Sequence, residues 1–111
     1  AAILYSLQSE CLRVSGGANT NPIQTWRNTS DVILSKIDSS GRLGIQTGTS
    51  NLVSALTVNG GIQIANDAAT PSSTKAGTLR YRVSGNNSYV DMCMEIGAGL
   101  YQWVNIITNN W

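Results

Sequence analysis

An all-β fold is predicted by three features of this 111-residue sequence. Its apolar residues fall in short stretches with a period of two, as in Leu43 and Ile45 or Leu56 and Val58, the spacing that buries one face of a strand. Glycine and asparagine punctuate these stretches at Ser40-Gly41 and Asn59-Gly60-Gly61, where the chain must reverse or bulge. The 26 Leu, Ile and Val residues never form the long 3.6-period segments of a helical bundle.

In order along the chain, Ala1 to Ser15 is ambiguous. Leu4, Leu7, Cys11 and Val14 have coiled-coil spacing, while Leu12 and Val14 also alternate. The expectation is a helical or irregular lead-in to about Ser9, then a strand through Val14. Leu12-Arg13-Val14-Ser15-Gly16-Gly17 matches Leu56-Thr57-Val58-Asn59-Gly60-Gly61 in pattern, a weak internal repeat whose units would stack on neighbours or on copies.

Ile23 to Trp26 and Val32 to Asp38 read as strands flanking a turn at Arg27-Asn28-Thr29-Ser30. Ser39-Ser40-Gly41 then reverses the chain into a strand over Arg42 to Ile45. A further strand piece is expected over Leu56 to Ile64, with Leu56, Val58, Ile62 and Ile64 on one face and Asn59-Gly60-Gly61 as a turn or bulge. Asn66 to Ala76 has no periodic apolar pattern and reads as a linker. From Gly77 the expectation is a three-stranded meander over Thr78 to Val83, Ser88 to Ile96 and Leu100 to Ile107. In its middle strand Val90, Met92, Met94 and Ile96 face one way, and Tyr89, Asp91, Cys93 and Glu95 the other. The predicted organisation is thus a β-repeat region over 1–65, a linker over 66–76 and a β-meander tip over 77–111.

Charge narrows the function classes. Charged residues are 12% of the chain, against about 25% in ordinary domains, while Ser, Thr and Asn number 34. One physical explanation is a threefold rod, since like charges ~8 Å apart near an axis would cost roughly 2 kcal/mol per pair at an effective dielectric of ~20; the alternative is random drift in composition. The net charge of +1, with no basic run longer than the Arg80-Tyr81-Arg82 pair, argues against a nucleic-acid partner. No apolar run is long enough for a membrane-spanning helix. The absence of histidine and the scatter of six carboxylates argue against an enzyme, and no residue is singled out as catalytic. Cys11 and Cys93 belong to no metal or redox motif, so no metal site and no cofactor is expected. Two buried free thiols are favoured over a disulfide between them, as fits assembly in a reducing cytoplasm. The sequons at Asn28 and Asn86 read as turn chemistry.

Aromatics cluster toward the C-terminus at Tyr81, Tyr89, Tyr101, Trp103 and Trp111. They either fill the core of a small meander or form a sugar-stacking platform, for which Tyr101, Trp103, Tyr89 and Trp111 are the candidates.

The segment Asp38-Ser-Ser-Gly-Arg-Leu-Gly-Ile45, followed by Leu56-Thr-Val-Asn-Gly-Gly-Ile-Gln-Ile64, resembles the shaft of bacteriophage tail fibres and related virion fibres. Ala76-Gly-Thr-Leu-Arg-Tyr81 with Tyr101-Gln-Trp-Val-Asn-Ile106 is similar to a terminal meander of the same proteins. Together the motifs cover most of Ile23 to Ile107. The resemblance implies a parallel homotrimer, intertwined or side by side, displayed on a virion alongside other virion proteins. Val58, Ile62 and Ile64 would then approach the trimer axis, and the C-terminal end would contact a host surface glycan or receptor. A purely structural capsid or tail connector is the alternative. Many such fibres carry a C-terminal self-cleaving chaperone, which has no counterpart within these residues.

Overall fold

Residues 14–15 and 20–111 are described by a computed structural model, and over them the chain is all-β, without an α-helix. Its strands form a four-stranded and a three-stranded sheet, one in each of two units, Ala1–Ile62 and Gln63–Trp111. The expected helical lead-in, the first half of the repeat and Cys11 lie outside the described residues, apart from Val14 and Ser15, which are exposed and carry no regular structure.

The first sheet has the order β1 (Gln24–Arg27), β2 (Ile33–Ile37), β3 (Leu43–Ile45), β4 (Leu56–Val58). Asn28 builds the first hairpin because its side-chain oxygen accepts the N–H groups of Ser30 and Val32, at 2.9 and 3.0 Å. Asp38 does the same at the second, accepting Ser40 N–H and Arg42 N–H, both at 2.9 Å, while Gly41 takes the left-handed conformation (φ +80°) that closes the turn. The sequon at Asn28 is therefore a turn, as its residues suggest.

β3 and β4 pair in parallel, Leu43 opposite Leu56 and Ile45 opposite Val58. Residues 46–55 make the crossover without a helix, a short span for a parallel connection. The strand periodicity that continues to Ile64 in the sequence stops at Val58 in the fold. β3 ends at Ile45, Asn59 N–H bonds the Ile45 carbonyl, and Ile62 and Ile64 lie beyond the sheet. Leu52, 4% exposed, folds from the crossover onto Gly44, where a Cβ would clash with Thr47 Oγ1 and come within 3.0 Å of Leu52. Only glycine lets the crossover lie this close to the sheet.

The second sheet is an antiparallel meander of β5 (Leu79–Ser84), β6 (Asn87–Gly97) and β7 (Leu100–Asn110), with bulges on the β6–β7 ladder between Val90 and Asp91 and between Glu95 and Gly97. β6 and β7 run longer than the sequence suggested, while β5 keeps the expected length shifted by one residue. The turns at Gly85 and Gly99 admit close pairing, and the ladder continues to Asn87 opposite Asn110. Residues 66–76, expected as a linker, carry a 3₁₀ turn at Ser73–Lys75 and pack on this sheet. No helix among the described residues is long and apolar enough to cross a membrane.

Candidate functional site

The alternation read for β6 holds, and it puts Asp91 and Cys93 on the covered face, both 0% exposed. Each is matched across the ladders. Asp91 stands opposite Arg80 on β5 and Asn105 on β7, and Cys93 stands opposite Trp103. The face with the charges is thus the buried one, because the 66–76 segment lies over it.

Asp91 is the hub. Arg80 Nε donates to its Oδ2 at 2.8 Å, Arg82 Nε to the same oxygen at 2.6 Å, and Asn105 Nδ2 to Oδ1 at 3.2 Å. Burial pushes the Asp91 carboxyl up, but the hydrogen bonds from Arg82, Arg80 and Asn105 outweigh it and hold the group below the usual carboxylate range. Each guanidinium also stacks on a ring, Arg80 over Trp103 at 4.2 Å and Arg82 over Tyr89 at 3.8 Å.

Arg80 Nη1 reaches onward to the Asp67 carbonyl at 3.0 Å, and Trp103 Nε1 donates to the Ala69 carbonyl at 3.0 Å. The Cys93 thiol faces the Ser72 carbonyl at 3.8 Å, and Asp67 pairs with Lys75 within the same segment. The Lys75 ammonium, then the Ala69 N–H, draw the Asp67 carboxyl below its usual value. The 66–76 segment is a strap tied down by side chains from all three strands.

Of the four candidate sugar-contact residues, Tyr89, Tyr101 and Trp103 share this face, and each is half-buried. Trp103 has its indole N–H engaged by the strap and one ring face taken by Arg80. Tyr89 lies beneath Arg82. Trp111 stands apart, 61% exposed after the end of β7, with its backbone N–H on the Asn86 carbonyl. Of the candidate axial residues, Val58 and Ile64 are half-buried and Ile62 is 69% exposed.

The opposite face of the meander carries Leu79, Tyr81 and Val83 from β5, Val90, Met92 and Met94 from β6, and Val104 and Ile107 from β7. It bears no charged side chain and nothing in its own unit covers it. Leu79, Tyr81, Val83, Met94 and Ile107 are 41% to 61% exposed.

Sequence reasoning missed the Arg80–Asp91–Arg82 cluster, having read the arginines only as too short a basic run and Asp91 as one scattered carboxylate. Two cations at alternate positions of one strand, with a carboxylate in the next, were the available signal. Cys93 is a free, buried thiol, and no cluster of His, Cys, Asp or Glu among the described residues could hold a metal ion. Comparison with protein-family models, with curated proteins and with solved structures yields no significant match.

Proposed function

We propose that this chain is a non-enzymatic segment of a virus fibre or spike that works as a homotrimer and turns its C-terminal meander toward the host surface. The observation that carries the reading is the uncharged, uncovered apolar face of the meander. Leu79, Tyr81, Val83, Met94 and Ile107 on it are 41% to 61% exposed, and side-by-side exposed apolar residues of this kind mark association surfaces. Among the described residues only Leu52 and Cys93 are buried apolar side chains, so the described part of each unit has little core. Copies meeting on such a face bring no like charges together, because Arg80, Arg82, Asp91 and Glu95 all lie on the other side. The shaft and tip motifs quoted above supply the link to virion fibres, which are assembled in the host cytoplasm.

A second reading, a structural connector without receptor binding, is favoured by one observation. Trp103, the centre of the candidate aromatic shelf, already spends its N–H and one ring face on the strap and on Arg80. The two readings separate in one experiment that measures particle adsorption and melting temperature together for Trp103→Ala. Adsorption lost at a temperature where the variant is still folded supports host contact through this ring. Adsorption retained by the folded variant supports the connector.

A further inference from the structure

We propose that a cleft on the first sheet binds an anionic saccharide, with the Lys36 ammonium as its charge anchor. This inference does not depend on the chain belonging to a virus particle. The cleft measures about 430 Å³, a volume that suits a sugar ring rather than a bare ion. Lys36 lines it from the middle of β2, yet its side chain is buried, only 7% of the residue being exposed.

An ammonium carries three donors, and among the described residues the Ser50 carbonyl, at 2.7 Å, is the acceptor that Lys36 Nζ finds. No carboxylate of those residues pairs with it. Arg42 also lines the cleft, with Nη1 on the Leu52 carbonyl at 2.8 Å and 3.7 Å from Asp38 Oδ2. Among the described residues Asp38 is the single carboxylate in the wall, and its other oxygen is taken by the N–H groups of Ser40 and Arg42. Two cations thus face one carboxylate that is already committed to a turn.

Among the described residues no carboxylate pairs with the Lys36 ammonium, so an incoming carboxylate or phosphate gains a charge-assisted hydrogen bond from a side chain already held in place by the Ser50 carbonyl. The remaining polar wall is neutral. Ser39, Thr49 and Asn51 offer hydroxyl and amide groups that match sugar hydroxyls, and Ile33 and Pro22 supply an apolar patch for a ring face. A buried cation among neutral hydroxyl-bearing side chains points to an acidic sugar, either a uronate or a phosphosugar.

The test is an amide-resonance titration of the whole chain with glucuronate, glucose 6-phosphate, glucose and inorganic phosphate. The expected result is saturable shifts at Lys36, Ser39 and Ser50 with at least one of the two acidic sugars, which of them identifying the source of the charge. Glucose and inorganic phosphate should each bind about tenfold more weakly or worse. Lys36→Met, which keeps the stem and removes the charge, should abolish the shifts, and so should Ser39→Trp, which fills the cleft from an exposed turn position. Should Lys36→Met fail to fold by circular dichroism, Ser39→Trp decides. The proposal is overturned if neither acidic sugar binds, if glucose or phosphate binds as tightly, or if a folded variant at either position still binds.

Discussion

Replacing Asp91 with Asn removes one negative charge from a fully buried position while keeping the shape of the side chain. Three donors converge on that carboxylate from both neighbouring strands, two of them guanidinium groups at 2.6 and 2.8 Å. An Asn amide offers one acceptor in place of two and turns an N–H₂ toward the arginines. Losing one partner of a buried ion pair costs about 3–5 kcal/mol, and the lower end applies because the Arg82 side chain is 31% exposed and partly screened by solvent. The expected loss is therefore about 3 kcal/mol, read from urea unfolding followed by tryptophan fluorescence, with Trp103 reporting directly on the strap.

Acid should reproduce part of this loss. Asp91 in the folded chain titrates below the ordinary Asp value of 3.8, so its contribution is complete above that value and disappears as pH falls through the lowered one. Asp67 shifts in the same direction, so Asp91→Asn should flatten the acid dependence without abolishing it. A variant within about 1 kcal/mol of the parent, with an unchanged acid slope, would refute the view that Asp91 ties the three strands and the strap together.

Trp103→Ala should lower stability by about 2 to 4 kcal/mol in thermal unfolding, since it deletes a half-buried ring, a cation–π contact and a tie to Ala69. Gly44→Ala should cost about 1–3 kcal/mol, because its methyl meets Thr47 Oγ1 and Leu52. Unchanged melting would mean that the crossover does not rest on Gly44. Ile62→Asp should prevent trimer formation if Ile62 lies near the axis, as three carboxylates would meet in an apolar seam. A variant that assembles and melts like the parent places Ile62 elsewhere.

The all-β class and most strand positions were legible because alternation and turn residues are local signals. Asn28 and Asp38 make their turns with bonds to backbone four residues away or less, so their roles can be read without tertiary information. The parallel β3–β4 pairing was not legible, since it depends on Leu52 returning to Gly44 and no local pattern encodes that meeting. The strap was hidden for a similar reason. Its residues lack apolar periodicity because backbone carbonyls hold it to the sheet and Asp67 pairs with Lys75 inside it. Lys36 looked like an ordinary solvated strand residue until the crossover covered it.

Self-assembly is the claim on which the functional account stands, and the mass of the particle in solution tests it most directly. Light scattering on the eluting peak of a size-exclusion column should give three times the 11.8 kDa chain mass, unchanged on dilution through the micromolar range. A monodisperse 11.8 kDa species that stays soluble with its meander face open to water would contradict the account.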